Sequence, residues 1–183
     1  MTHPKTYYMH HDSPLGPLLL TSDGSALTSL SMTAHAHGPA IAAEWVCDCA
    51  AASFAETKQQ ISDYFAGVLT DFVLSLAPKG TEFQKRVWAE LSRIPYGETC
   101  SYGELARRLG DPNAARAVGL ANGRNPIFLI VPCHRVLGAS GKMTGYGGGI
   151  ERKAALLALE RSVAHLAGFA PRGDLGKNLH GTS

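Results

Sequence analysis

Short apolar runs separated by turn residues occupy the start of the chain and predict β-structure over residues 6–32. The runs "TYYMHHD", "PLLLTS" and "ALTSLSM" are separated by "SPLG" and by Asp23-Gly24, a pair typical of a hairpin turn. The Ala- and His-rich segment 33–50 has no clear period, and we expect a loop there. These patterns predict a short antiparallel sheet at the N-terminus.

A helix and a final strand are predicted to follow this sheet. The helix stops at Gly67, and its large apolar residues recur on one helical face: Phe54, Ile61, Tyr64 and Phe65. The run "DFVLSLAP", residues 71–78, predicts a short strand that ends before Pro78. Together with the sheet, these elements predict a small α/β domain over residues 1–78.

From residue 79 onward the pattern changes to short helices. Thr81 and Gln84 form a capping box, a start signal for a helix. That helix is expected to pack through one apolar face, made of Phe83, Val87, Trp88 and Leu91. Ser101 and Glu104 form a second capping box ahead of "YGELARRLG", in which Leu105 and Leu109 are four residues apart.

A third helix, "AARAVGLANG", follows the turn "GDPN" and suggests a helix-turn-helix. Paired short helices also occur in ordinary all-α domains, so the pattern alone leaves both interpretations open. The second helix of the pair presents Arg116 among Ala and Gly residues, which are small enough for close approach to another surface. This composition favours binding to nucleic acid.

The rest of the chain predicts a buried run, a loop and a last helix. "IFLIV", residues 127–131, resembles a buried strand, and the loop 138–149 contains six glycines. The helix "IERKAALLALERS" carries Leu156, Leu157 and Glu160. The predicted fold class is therefore α+β. A small N-terminal domain over 1–78 is followed by a mainly α-helical, winged-helix-like domain over 79–166 and a flexible tail over 167–183.

Charge divides the chain into an acidic part and a basic part. Residues 1–78 carry two basic and seven acidic side chains, and residues 79–183 carry fifteen basic and eight acidic ones. Scattered surface Lys and Arg account for most of the basic side chains, but a polyanion-binding domain has the same distribution. The hydrophobic fraction of 45% and the charged fraction of 17% are typical of globular proteins.

Four cysteines are too few for a disulfide scaffold in 183 residues, and we expect free thiols in a reducing compartment. Cys47 and Cys49 lie near His35 and His37, but their spacing matches no usual zinc pattern, so neither a metal nor a cofactor is expected. The N-terminus lacks the features of a signal peptide, and no apolar run is long enough to span a membrane. A soluble, cytoplasmic protein is predicted.

Cys133 is the candidate for covalent chemistry, although a cysteine after an apolar run is more often structural. Pro132 ends the run, and His134 is suited to accept a thiol proton near neutral pH. Arg135 either favours the thiolate or satisfies a carboxylate. Because adjacent residues on an extended segment point to opposite faces, a path through a water is an alternative to a direct Cys133–His134 bond. We expect the sulfur to be ionised at the rim of a cleft.

Four stretches occur in order across residues 79–162: "SYGELA", "AARAVG.AN..NP", "IVPCHRV" and "GYGGG...K..LL..E". In these motifs and their spacing the chain resembles the O6-alkylguanine-DNA alkyltransferases, also called methylated-DNA–protein-cysteine methyltransferases. The first 78 residues match this family more loosely, in "SPLG" and "YFAG". The resemblance implies a DNA repair protein that takes an alkyl group from O6 of a damaged guanine and keeps it, without a cofactor.

The resemblance also implies roles for individual residues of the reaction. Cys133 corresponds to the alkyl acceptor, and a thiolate is a suitable soft nucleophile for displacement at an sp³ carbon. His134 corresponds to a base that acts through a water, and Glu160 to the carboxylate that orients this base. Tyr102 corresponds to the phenol that protonates the leaving guanine, and Asn125 to an asparagine that braces the active-site turn.

For DNA, the resemblance implies that the damaged base is flipped out of the duplex and that Arg116 fills the space it leaves. The helix carrying Arg116 would enter the minor groove. The further DNA contacts expected are Ser101, Tyr102, Gly119 and Arg124. The substrate pocket is expected at Gly123, Val136, Tyr146 and Gly147, and Phe128 stands where the family's pocket varies. The expected partner is double-stranded DNA carrying O6-alkylguanine, or O4-alkylthymine, bound by a monomer or cooperatively along the duplex.

Two other functions fit parts of the sequence. A non-catalytic helix-turn-helix protein would bind the lesion without chemistry, as does a related branch that lacks the cysteine, and the presence of Cys133 argues against this alternative. A cysteine hydrolase built on Cys133 and His134 would turn over repeatedly, but no feature of the sequence predicts an acyl pocket.

Overall fold

The first region of the chain, residues 5–78, forms a sheet. Its strands in the computed structural model are β1 (Tyr7–His11), β2 (Leu18–Ser22), β3 (Leu27–Met32) and β4 (Val46–Cys47), and they lie in the order β3-β2-β1-β4. The structure describes residues 5–33, 40–49 and 51–168. The predicted antiparallel sheet and the hairpin at Asp23-Gly24 are confirmed, because β1 pairs antiparallel with β2, and β2 with β3.

The prediction of a loop over residues 33–50 is wrong in one place. Strand β4 pairs in parallel with β1, so that Val46 lies opposite Tyr7 and Cys47 opposite Tyr8. A strand of two residues is too short to show an alternating pattern, which explains why the sequence did not reveal it. Residues 34–39 and 50 of the predicted loop lie outside the described part of the chain.

Helix α1 (Ala52–Phe65) packs against β2, and the hydroxyl of Ser53 donates to that of Ser22 at 2.9 Å. The predicted face is buried at Phe54, Ile61 and Tyr64, and Gly67 stops the helix in a left-handed conformation, with φ of +72°. The strand predicted over 71–78 is wrong, because only Leu76 forms a bridge, to Leu27. Pro78, which lacks an N–H group, cannot continue that ladder.

The second region contains four α-helices in its described part: α2 (Glu82–Leu91), α3 (Tyr102–Arg108), α4 (Ala115–Gly123) and α5 (Ile150–Leu166). Both predicted capping boxes are confirmed, at the first residues of α2 and α3. The face of α2 that was predicted to pack is buried except at Phe83, which is 37% exposed. Phe83 lies in the first turn of α2, ahead of the buried stripe, so its predicted core position is wrong.

Helices α3 and α4 form the predicted helix-turn-helix. A single 3-10 turn, Pro112–Ala114, joins them, and both helices contact α2. The indole Nε1 of Trp88 donates to the carbonyl oxygen of Ala121 at 2.9 Å and so fastens α2 to α4. Beside α3, strand β5 (Cys100–Ser101) pairs in parallel with strand β6 (Val136–Leu137).

The apolar run 127–131 is buried, as predicted, but it is not a strand. Leu129 has φ of +72°, a left-handed conformation that a strand does not contain, and the run folds as consecutive turns. Only Ile127 forms a bridge, to Leu30 of β3. Residues Cys133–Arg135 continue as one turn of 3-10 helix, so the extended geometry assumed for this segment is also wrong.

One hydrophobic core joins the two regions, since buried residues of β2, β3 and α1 belong to the same cluster as those of α2, α4 and the run 127–131.

Helix α5 ends four residues later than the predicted segment 150–162 and packs against the Cys133–Arg135 turn. The division at residue 78 and the flexible tail stay predictions, and residues 169–183 lie outside the described part. No helix in that part is long and apolar enough to cross a membrane.

Candidate active site

A cavity of about 270 Å³ lies between β3, the end of α4 and the glycine-rich loop. Its lining residues are Leu30, Ser31, Met32, Asn122, Gly123, Asn125, Pro126, Phe128, Cys133, Gly145, Tyr146, Gly147 and Gly148. Gly123, Tyr146 and Gly147 were predicted to line a pocket and do so. Val136 was predicted there wrongly, because it is fully buried in β6 and does not line the cavity.

Strand β3 contributes one wall of this cavity, which no pattern in the sequence indicated. The carbonyl oxygen of Leu30 accepts a hydrogen bond from the N–H of Phe128 at 3.2 Å, which holds β3 against the turns that precede Cys133. Ser31 and Met32 follow on the same wall. Residues separated by about a hundred positions therefore share the pocket, and no local sequence pattern reports such a contact.

Cys133 lies on the cavity wall but is only 5% exposed. Burial raises the pKa of its thiol, while a hydrogen bond from Asn125, the charge of Lys153 and nearby backbone N–H groups act in the opposite direction. Because the raising effect prevails, the thiol is protonated near neutral pH, and the expectation of a sulfur ionised at rest is wrong. The thiol needs a base that removes its proton.

Asn125 braces the turns before Cys133, in agreement with its predicted position. Its Nδ2 donates to the carbonyl oxygen of Val131 at 2.8 Å, and its Oδ1 accepts from the N–H of Ile127 at 3.1 Å. One side chain thus joins the beginning and the end of the buried run. This fixes the backbone from which Cys133 projects.

His134 and Glu160 form a fully buried pair, with 2.9 Å between Nε2 and Oε1. Burial alone would raise the pKa of Glu160, but hydrogen bonds from His134 and Arg135 outweigh it and bring the pKa to about 2. An ionised carboxylate only accepts hydrogen bonds, so Nε2 of His134 carries a hydrogen. Glu160 is fully buried, so its charge is balanced by these donors and not by solvent.

The other ring nitrogen of His134, Nδ1, is then a hydrogen-bond acceptor. It is buried and has no partner among the described residues. Burial lowers the pKa of His134 although Glu160 acts to raise it, so the ring is neutral near neutral pH. A neutral imidazole with an unused acceptor nitrogen, one residue after a protonated thiol in the chain, has the properties of a general base.

Arg135 is directed toward Glu160, which decides between its two predicted roles. Its Nε donates to Oε2 at 2.9 Å, its Nη2 donates to Oε1 at 2.9 Å, and its Nη1 donates to the carbonyl oxygen of Ile94 at 2.6 Å. The guanidinium therefore pairs with a buried carboxylate, which is the second of the two roles predicted for Arg135. Its charge is not among the main influences on the pKa of Cys133.

Two further donors to Glu160 were not predicted. The hydroxyl of Tyr64 donates to Oε1 at 2.7 Å, and the N–H of Gly97 donates to Oε2 at 3.1 Å. Gly97 has φ of +76°, and a β-carbon there would lie 3.0 Å from that of Ala164, so this approach requires glycine. Tyr64 belongs to the predicted apolar face of α1, where nothing in the pattern distinguishes its hydroxyl.

Lys153 is a fully buried cation that belongs to a quoted motif but had no predicted role. Its Nζ donates to the carbonyl oxygens of Val136 at 2.6 Å and Thr144 at 3.2 Å, which ties α5 both to β6 and to the middle of the loop beside the cavity. Burial lowers the pKa of Lys153, and the charge of Cys133 opposes this shift. A signal was present, because Lys153 and Glu160 are seven residues apart and flank Leu156 and Leu157 on the same buried stripe.

Tyr102, at the start of α3, is half-buried and lies against α4. A β-carbon on Gly119 would lie 3.8 Å from its ring. Burial raises the pKa of Tyr102, while hydrogen bonds from Thr144 and Asn122 lower it and the charge of Cys133 raises it. The phenol is therefore protonated near neutral pH and close enough to Cys133 to interact with it electrostatically.

The other predicted DNA contacts lie on the outer surface of the helix pair. Arg116 on α4 and Arg124 at its C-terminal end are exposed, and so is Leu120, at 64%. The hydroxyl of Ser101 is used within the protein, since it caps α3 by accepting from the N–H of Glu104. Further exposed basic side chains on α2 and α3 are Lys85, Arg86, Arg107 and Arg108.

Two family models match most of the chain. Residues 5–78 match the 6-O-methylguanine DNA methyltransferase, ribonuclease-like domain, and residues 82–162 match the 6-O-methylguanine DNA methyltransferase, DNA binding domain. The methylated-DNA–protein-cysteine methyltransferase of Mycobacterium tuberculosis is 57% identical over 158 residues, which are 86% of this chain and 94% of that protein. That of Methanosarcina acetivorans is 50% identical over 156 residues, 85% of this chain and 99% of that protein.

The fold is also similar to that of solved structures. The crystal structure of Mycobacterium tuberculosis OGT in complex with DNA superposes with a TM-score of 0.79 and 54% identity, covering 91% of this chain and 96% of that one. The similarity extends through both the sheet region and the helical region. It supports the predicted α+β fold class.

Proposed function

The chain belongs to the 6-O-methylguanine DNA methyltransferase family, and we propose that Cys133 accepts the alkyl group from O6-alkylguanine in duplex DNA. The protein is a DNA repair methyltransferase, and DNA is its partner. The observation that supports this assignment of the acceptor is the placement of Cys133 on the cavity wall, directly before the buried His134–Glu160 pair.

The transfer is a displacement at the alkyl carbon. Sγ of Cys133 forms a bond to this carbon while the bond from the carbon to O6 breaks, and the electron pair of the broken bond passes to the guanine ring. The thioether that forms has no leaving group of comparable reactivity, so each protein molecule acts once. The protein is thus consumed in stoichiometric amounts.

Two protons move during this reaction. His134 accepts the proton of Cys133 at Nδ1, through a water, and Glu160 stabilises the resulting imidazolium. The guanine anion takes up a proton from the phenol of Tyr102, which is protonated in the resting protein. Solvent then returns a proton to Tyr102 and removes one from His134, so that charge and protons balance.

Mass spectrometry tests this assignment directly. After incubation with a duplex that contains O6-methylguanine, we expect the intact protein to gain the mass of one methylene unit, located on the peptide that contains Cys133. The gain stops at one equivalent even with excess DNA. No gain in mass, or a methyl group on another residue, contradicts the proposal.

Arg116 is proposed to fill the space that the damaged base leaves in the duplex when this base rotates into the cavity. Flipping a base costs a few kcal/mol, so removing this side chain in Arg116→Ala should slow transfer from duplex DNA about 10–100-fold. Transfer from the free alkylated base needs no flipping and should change little. Single-turnover rates with both substrates measure this difference.

The control for this variant is Arg161→Ala, which removes an exposed arginine from α5, outside the helix-turn-helix. It should leave both rates unchanged. Equal losses with duplex and free base in Arg116→Ala would contradict a role in base flipping and would indicate a disturbed cavity.

We further propose that one copy of the chain suffices, because the cavity, the acid–base residues and Arg116 all belong to it. O6-alkylguanine is the proposed substrate, with O4-alkylthymine as a second one. A reducing cytoplasm suits the four free thiols, two of which, Cys47 and Cys49, are exposed.

A further inference from the structure

Glu160 receives hydrogen bonds from both regions of the chain. His134 and Arg135 reach it from the 3-10 turn, and Gly97 reaches it from the loop after α2. The remaining donor is Tyr64 of α1, 96 positions away in sequence, whose hydroxyl donates at 2.7 Å. Both Tyr64 and Glu160 are fully buried.

We propose that Tyr64 is a positioning residue for the transfer reaction: its hydroxyl holds Oε1 of Glu160 and thereby sets the orientation and basicity of His134. The inference rests on the proposed function, since it takes His134 as the base for Cys133. It gives the first region of the chain an indirect part in proton transfer, through Glu160.

The ring and the hydroxyl of Tyr64 have separable roles. The ring stacks on Phe72 with centroids 5.4 Å apart and meets Tyr96 edge-on at 5.8 Å. Phenylalanine supplies the same ring contacts, so the bond to Glu160 is what tyrosine adds. Burial and the charge of Glu160 raise the pKa of Tyr64, and the hydroxyl therefore stays a donor throughout the pH range of an assay.

Oε1 is shared among three donors: Tyr64 at 2.7 Å, His134 at 2.9 Å and Arg135 at 2.9 Å. Each donor neutralises part of the negative charge on this oxygen. Without the Tyr64 hydroxyl, more of that charge acts on His134, and the pKa of His134 rises because the imidazolium is better stabilised. The other charged or titratable groups that interact with this pair are Arg135, Lys153, Tyr96 and Tyr146, and Cys133 directly precedes His134 in the chain.

The experiment measures the single-turnover rate of methyl transfer from a methylated duplex to the full chain. The rate is recorded as a function of pH, over a range from mildly acidic to mildly alkaline. For Tyr64→Phe we expect the midpoint of the acid limb to rise by roughly half to one pH unit. The rate on the alkaline plateau should fall about 3–10-fold, because Glu160 is held less firmly.

The matched control is Tyr96→Phe. It removes a hydroxyl from the same aromatic cluster, but this hydroxyl is buried with no partner among the described residues. The ring of Tyr96, whose centroid lies 5.5 Å from the guanidinium carbon of Arg135, is retained in the variant. We expect Tyr96→Phe to keep the midpoint and the plateau of the unaltered protein.

A second substitution keeps the volume and the hydrogen bond of Tyr64. Fluorinated tyrosine at this position has a more acidic phenol and donates more strongly, so the midpoint of the acid limb should move downward, opposite to that of Tyr64→Phe. Profiles of Tyr64→Phe and of the fluorinated protein that superpose on the original overturn the proposal, as does an equal shift in Tyr96→Phe. If Tyr64→Phe does not fold, the fluorinated protein decides alone, and methyl uptake by the unaltered protein tests the proposed function separately.

Discussion

Cys133→Ser should abolish methyl transfer while leaving the affinity for methylated duplex within a few-fold of the original. A serine hydroxyl is far less acidic than a thiol and is a poor nucleophile toward an sp³ carbon, even with His134 beside it. We expect a loss of at least about 10⁴-fold in the single-turnover rate, as when a nucleophile is removed from an enzyme. Transfer of a radiolabelled methyl group from DNA to protein measures this loss over a wide range.

Cys100→Ser is the matched control for this variant. Cys100 is the other buried cysteine, burial raises the pKa of its thiol to about 11, and it does not line the cavity. Replacing it should leave one equivalent of methyl uptake. Retention of uptake by Cys133→Ser would refute the assigned acceptor.

The same experiment separates the alternative functions. A protein that only binds lesions would take up no methyl group before or after the substitution, and its DNA affinity would survive in Cys133→Ser. A cysteine hydrolase would release product repeatedly instead of stopping at one equivalent. Stoichiometric uptake that depends on Cys133 agrees with neither alternative.

Glu160→Gln should impair both folding and chemistry. Glutamine has nearly the same shape but no charge, so the buried guanidinium of Arg135 loses its counter-ion and the amide N–H group of glutamine meets donors instead of acceptors. Breaking a buried ion pair in this way costs about 3–5 kcal/mol. For a chain of this size we expect the melting temperature to fall by roughly 6–20 °C.

The rate of transfer should fall about 10²–10⁴-fold in Glu160→Gln, at a temperature at which the variant is folded. Without the carboxylate, His134 loses the acceptor that fixes its tautomer and stabilises its imidazolium form. The control is Glu151→Gln, the same substitution at an exposed position in the first turn of α5. A normal rate in folded Glu160→Gln would contradict the role assigned to the His134–Glu160 pair.

Glu160 also makes stability depend on pH. Its folded-state pKa of about 2 lies below the ordinary value of 4.5, so the unfolded chain binds the proton more readily. The stabilisation is therefore complete above pH 4.5 and is lost as the pH falls toward 2. In Glu160→Gln this dependence is absent, and unfolding free energies measured by urea titration should change less steeply over that acidic range.

The local features of the fold were predictable because their causes are local. The capping boxes at Thr81 and Ser101 and the turn at Asp23-Gly24 depend on side chains and backbone within four residues, which the sequence displays directly. Residues 127–131 show where this reasoning fails. Five consecutive apolar residues indicate burial but not geometry, and Asn125 together with the left-handed Leu129 folds them into turns.

The site was predictable only in part, for a related reason. The resemblance supplied Cys133, His134 and Glu160, and the structure places the last two in contact. The partners Tyr64 and Gly97 and the wall formed by β3 come from distant parts of the sequence. Their contribution depends on tertiary packing, which neither periodicity nor motif spacing encodes.

The wall that β3 contributes to the cavity has a consequence for evolution and engineering. Leu30, Ser31 and Met32 confine the space beside Phe128, although they belong to the sheet region rather than to the helical region that contains Cys133. In the proposed function this cavity receives the alkylated base, so we expect that exchanging residues 5–78 with those of a relative changes one wall of the proposed substrate pocket. We expect such chimeras to inherit their tolerance for bulky adducts from the donor of the sheet, even with every proposed reacting group left in place.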